Sequence, residues 1–191
     1  SIACVEAMKT LAYEIVEQLT AVASGGEFIS RKSLSNSWRS PDWYFQSVSG
    51  GLGPLGVLKG FTEIKSMNLI EKFPKFGIVQ VEGCAPMIHA WRQQRDTAVP
   101  IHSPKTLIAT LATGDPGRTY TELRKRILQH TDGYFESVTD EEAFRAMHLL
   151  AKMEGISVEP AAAVAFAGLI KMVRAGVIRS DETVVINCTG H

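Results

Sequence analysis

Cysteine is scarce in this 191-residue sequence, and its three copies exclude more than they suggest. Cys4, Cys84 and Cys188 have neither metal-type spacing nor the density of a disulfide scaffold, and read as reduced, largely buried thiols. His89, His102, His130 and His148 also lack metal-ligand spacing and read as surface or helix-face residues. An excess of one charge is missing too. The 20 basic and 20 acidic residues cancel, which removes any global field for nucleic acid or an anionic membrane. Arg92, Arg95, Arg124, Lys125 and Arg126 form a wet helix face, not a nucleic-acid stripe. No apolar run approaches the ~20 residues that cross a bilayer, and no secretory leader is seen, so a cytoplasmic protein is expected. Internal repeats and low-complexity tracts are absent. What remains, 45% hydrophobic and 21% charged, is an ordinary globular composition with enough chain for one substantial core.

Apolar periodicity predicts a helix over 7–19, a loop or insertion over 20–40, and a buried strand over 43–48. A helix over 54–68, a strand over 76–81, a short helix over 86–94 and a helix over 119–130 follow. Thr119 with Glu122 reads as a capping box for the last of these, and Thr139 with Glu142 as another, opening a helix that runs to about Met153. Gly155 stops that helix, Pro160 opens an alanine-rich one, Gly176 ends it, and 183–188 is the last strand. Strands alternating with helices argue an α/β fold with a mainly parallel sheet. The chain starts at Ser1 without methionine and stops at His191 just after that strand, so an internal fragment of a longer protein is expected.

The most informative segment joins the strand at 43–48 to the next helix through Ser49, Gly50, Gly51, Leu52, Gly53 and Pro54. Glycines permit positive φ and close backbone approach, and a helix N-terminus offers unpaired N–H groups and a favourable dipole to an anion. Phosphate is the natural guest; a ligand-free tight turn is the alternative. No Gly-Lys-Ser/Thr closes the segment, and the spaced dinucleotide fingerprint is missing. A phosphorylated ligand other than an ordinary nucleotide is therefore expected.

In open α/β sheets ligands gather at the carboxyl ends of strands. Glu82-Gly83-Cys84 and Thr189-Gly190-His191 end two further strands, so three loops are expected to converge on one cleft. Cys188 and His191, three apart on an extended segment, project to opposite faces and read as a core thiol beside a loop imidazole. Glu82, Glu154 and Glu159 each adjoin a tight Gly or Pro turn, where capping or solvation is the ordinary role of a carboxylate.

With these residues in view, the chain resembles the threonine synthases of the tryptophan-synthase-β-like class of pyridoxal 5'-phosphate (PLP) enzymes. The resemblance rests on residues 6–15, on the glycine turn with Lys59-Gly60-Phe61, on the run 152–163, on Gly168-Leu169 and on the closing Thr189-Gly190-His191. Spacing and order agree over nearly the whole chain. Residues 51–54 and 109–116, and the insertion after Leu19, look more like cysteate synthase, which exchanges the phosphate of phosphoserine for sulfite.

The resemblance implies a fold type II architecture, an open twisted sheet with helices on both faces, of which residues 1–191 form the C-terminal part of the PLP-binding domain. It implies a small phosphorylated amino acid as substrate, no nucleic-acid or membrane partner, and allows a homodimer. The cofactor phosphate is expected on Ser49, Gly50, Gly51, Leu52 and Gly53, the pyridine nitrogen against Thr189, Gly114 at the flank and Glu159 near the ring. Both asparagines of the family's usual Gly-Asn-Gly-Gly-Asn turn are absent. The cofactor-linking lysine and the substrate-carboxylate loop belong upstream of the residues seen here, and Lys9, Lys59 and Lys65 sit in the wrong motifs to replace that lysine. No catalytic residue is assigned, and the chain alone is expected to be inactive. Two readings of other classes stay open: a non-catalytic relative that keeps the fold as a binding or regulatory module, and an unrelated α/β protein that binds a sugar phosphate.

Overall fold

The computed structural model describes residues 2–23 and 38–191. Four parallel strands lie in the order β3-β2-β1-β4: β1 Trp43–Ser47, β2 Lys75–Val81, β3 Gly133–Val138 and β4 Val184–Ile186. Each crossover carries helices: α3 Leu52–Ser66, α4 Pro86–Arg92, α5 Arg118–His130, α6 Asp140–Glu154 and α7 Pro160–Arg174. Ahead of β1 lie α1 Ile2–Met8 and α2 Thr10–Ala23. The expected α/β class and parallel sheet are thus observed.

Strand alternation sorts the core into two layers. Tyr44, Phe76, Ile78 and Phe135 join Phe61, Leu123 and Ile127 on one face, covered by α2, α3, α4 and α5. The Tyr44 and Phe76 ring centroids are 5.3 Å apart, and Phe61 stands edge-on to Phe76. Trp43, Phe45, Val79, Val81 and Val138 face the small side chains of α6 and α7 on the other side. Each fully buried large apolar side chain contributes about 1.5–3 kcal/mol relative to exposure. Gly168 on α7 leaves no room for a Cβ above Val79, so the alanine-rich helix lies directly on the sheet.

The chain runs from β1 outward through β2 to β3, then returns to the other side of β1 as β4. The order therefore reverses between β1 and β4, and the crevice at their carboxyl ends is a topological switch point. Asn187 N donates to Phe45 O at 2.9 Å and fixes the end of β4 beside the end of β1.

Several local expectations need correction. The first helix is two helices broken at Lys9, where Gly56 of α3 meets Val5 O and Gly60 meets Lys9 O too closely for any Cβ. Of the loop or insertion expected at 20–40, residues 20–23 are helical, because α2 runs to Ala23, and residues 24–37 lie outside the described residues. Thr119 does not cap α5: it lies inside the helix, whose N-cap is Gly117. Asp115 Oδ1 accepts from Gly117 N at 2.8 Å, and this local turn starts the helix before Thr119. Thr139 and Glu142 do form the capping box of α6, and Gly155 ends it at φ 68°.

Candidate cofactor site

The glycine turn leaves β1 at its carboxyl end and enters α3 through Gly51, at φ 83° and ψ 9°. That left-handed conformation suits glycine and brings no side-chain cap to the helix. Leu52 and Gly53 N–H, in the first turn of α3, have no intrahelical acceptor, while Pro54 has no N–H to offer. A Cβ at Gly50 would meet nothing within 4 Å, so the turn faces open space there. At Gly51 it would lie 2.8 Å from Met87 Cε, and at Gly53 it would collide with the Gln46 amide. The turn is therefore packed on its inner side and open on its outer side.

Side chains from neighbouring elements hold it. Fully buried Gln80 on β2 donates through Nε2 to Ser49 O at 3.4 Å and accepts at Oε1 from Met87 N at 3.0 Å. Ser49 Oγ donates to Thr113 Oγ1, which ties the turn to the loop bearing Gly114. Gly114 itself packs against Ile101 O, too tightly for any other residue, and its carbonyl accepts from Ile101 N at 2.9 Å. Ser47 Oγ is buried at the end of β1 and has no hydrogen-bond partner among the described residues.

At the end of β4, Glu159 N donates to Gly190 O at 3.2 Å, and a Cβ at Gly190 would lie 2.6 Å from the Glu159 carboxyl carbon. Glu159 is the N-cap residue of α7 but makes no side-chain cap, which leaves its half-buried carboxylate beside residues 189–190. Thr189 is exposed. The structure thus joins Glu159 to the 189–190 segment, and the glycine turn to Gly114 through Thr113. The third expected loop is tied elsewhere: Gly83 O accepts from Lys105 N at 2.9 Å, and Glu82 is exposed.

Two sequence readings fail here. Cys4 and Cys188 are exposed and only Cys84 is buried, because Cys188 lies beyond the short β4 instead of within it. Cys188 is therefore no core thiol. Sequence reasoning also missed Gln46, Gln80 and Asn187. Their signal was present: Gln46 and Gln80 are polar residues inside otherwise apolar strand segments, close to the strands' carboxyl ends. Among the described residues no group of three His, Cys, Asp or Glu side chains could hold a metal ion, and no helix is long and apolar enough to cross a membrane.

Residues 1–190 match the family model described as pyridoxal-phosphate dependent enzyme. This chain belongs to that family. PLP is the family's cofactor. Threonine synthase of Methanocaldococcus jannaschii is 33% identical over 186 residues, covering 97% of this chain and 41% of the relative. Cysteate synthase of Methanosarcina barkeri is also 33% identical, over 161 residues, 80% of this chain and 39% of the relative. A fungal L-serine ammonia-lyase from Rhizomucor miehei superposes with a TM-score of 0.72 at 19% identity, over 97% of this chain and 51% of that one. The shared fold is accordingly that of PLP-family neighbours, and the chain spans about 41% of the length of the threonine synthase it matches.

Proposed function

We propose that this chain forms the cofactor-holding part of a PLP enzyme that acts on a phosphorylated amino acid and releases phosphate, as a threonine synthase does with O-phosphohomoserine. The supporting observation is the turn itself. At a switch point of a parallel sheet it combines a left-handed Gly51, open space at Gly50 and two first-turn N–H groups without intrahelical acceptors. A phosphate monoester fits that arrangement. Bound PLP withdraws electrons from the α-carbon of an amino acid. Ser49, Gly50, Gly51, Leu52 and Gly53 hold the phosphate by backbone donors, and Gly114 borders it through Thr113. Thr189 holds the pyridine nitrogen with a hydroxyl, which unlike a carboxylate need not keep that nitrogen protonated. Glu159 stands next to it. No proton-abstracting base is assigned within this chain, and the activity belongs to an enzyme of which it is a part.

A second reading, cysteate synthesis from phosphoserine and sulfite, is supported by the cysteate synthase relative, whose 33% identity equals that of the threonine synthase. Absorbance of the purified whole enzyme with PLP, followed by O-phosphohomoserine or by phosphoserine, tests both. A visible band of bound PLP that changes with O-phosphohomoserine alone supports the first reading, and a change with phosphoserine alone supports the second. No band after added PLP would sink both and favour a non-catalytic relative.

A further inference from the structure

We propose that Gln46 is a cofactor-positioning residue whose side-chain amide nitrogen donates to the anion held at the first turn of α3. The inference rests on the reading that the glycine turn takes the phosphate of PLP. Gln46 lies on the same face of β1 as Tyr44 and is only 7% exposed. Asn187 Nδ2 donates to Tyr44 Oη at 3.1 Å, and Tyr44 Oη donates to Gln46 Oε1 at 2.8 Å. The direction of this relay decides which end of the amide faces the turn. A phenol has one hydrogen, and with Asn187 as donor that hydrogen is free for the Gln46 carbonyl. Burial holds the Tyr44 hydroxyl above its ordinary pKa, so it remains a donor throughout the working pH range.

Gln46 Nε2 is then the part of the amide nearest the place where a Gly53 side chain would stand. Its two N–H groups have no acceptor among the described residues, since the one hydrogen bond of Gln46 goes through its oxygen. The donor of a more than nine-tenths buried side chain, without a protein acceptor among the described residues, thus sits against Gly53 in the first turn of α3. An anion at that turn supplies the acceptor that the protein itself does not provide. The same relay ties the phosphate end of the site to β4, two residues before Thr189.

The test compares PLP with pyridoxal, which lacks the phosphate, by titrating the whole apoenzyme. Gln46→Met keeps the size and removes the donor; Gln46→Glu turns the donor into an anion. A hydrogen bond to a charged group is worth enough that PLP Kd should rise about tenfold or more in Gln46→Met, and further in Gln46→Glu. Pyridoxal Kd should change less than about twofold in both, because the missing group is the phosphate. Equal weakening of PLP and pyridoxal would show a merely structural role and overturn the proposal, as would wild-type PLP affinity in Gln46→Glu. Tyr44→Phe keeps the ring packing and frees the amide to turn; it should weaken PLP selectively, by less than Gln46→Met, and it decides the matter if the Gln46 variants do not fold. Wild-type enzyme that binds no PLP refutes the underlying reading. PLP binding lost in Gly51→Val but intact in Gln46→Met and Tyr44→Phe refutes the role of Gln46 alone.

Discussion

The two ends of the one parallel sheet are built to opposite rules. At the amino end, charges are paired. Lys75 Nζ donates to Glu182 Oε1 at 2.8 Å and stands 4.9 Å above the Trp43 ring. Asp42 Oδ2 accepts from Thr183 N at 2.8 Å while its other oxygen meets Lys72. Trp43 Nε1 is buried there beside the Glu182 carboxylate. At the carboxyl end, Gln46 Nε2, Ser47 Oγ and the first-turn N–H groups of Leu52 and Gly53 have no hydrogen-bond partner among the described residues, around a turn rich in glycine. One end ties the strands together by ion pairs, and the other leaves donors unpaired at the proposed site. Stability and cofactor retention should therefore separate under mutation.

The sharpest separation is expected from Gly51→Val. A β-branched residue at φ 83° costs about 1–3 kcal/mol. It also places a Cβ 2.8 Å from Met87 Cε and closes the turn. The bound-PLP absorbance band should be lost, whereas a band of wild-type intensity would break the phosphate assignment. Asp42→Ala is the mirror case. It leaves Thr183 N–H without its acceptor and should lower unfolding free energy by about 1–3 kcal/mol, read from urea melts. PLP affinity should stay unchanged, and a parallel loss would show that the ends are coupled.

A smaller effect is expected with acid. The Lys75 ammonium, followed by the Arg179 N–H, holds the Glu182 carboxyl down at about 2, from an ordinary value of 4.5. A depressed carboxyl contributes stability that is complete above its unfolded value and is lost as pH falls toward the folded one. The melting temperature should therefore fall as pH drops from about 4.5 toward 2, with part of that slope missing in Lys75→Met. Identical acid limbs in the two proteins would remove Glu182 from the account.

The difference between the two ends also explains what was legible. Local chemistry was readable: the Thr139–Glu142 box, the Gly155 stop and the glycine turn are written in adjacent residues. Thr119 carried the same local pattern and misled, because an Asp115–Gly117 turn reached the helix start first. The switch point was not readable, since it depends on β4 returning beside β1 across roughly 140 residues of separation. Gln46 and Asn187 acquire meaning only through that return. A buried amide within an apolar run was a legible anomaly, but its partner was not.

The finest distinction falls at Thr189. It is exposed at the carboxyl end and shares neither the packing of the turn nor the ion pairs of the opposite end. Thr189→Asp should therefore leave the melting temperature within about 1 °C, as surface changes usually do. A carboxylate facing the pyridine nitrogen would stabilise its proton, where the hydroxyl does not. The spectrum of bound PLP should then shift and turnover should fall, with PLP content unchanged. An unaltered spectrum with unaltered turnover would move the ring away from β4 while leaving the phosphate end of the proposed site standing, because the proposal assigns the two ends of the cofactor to different strands.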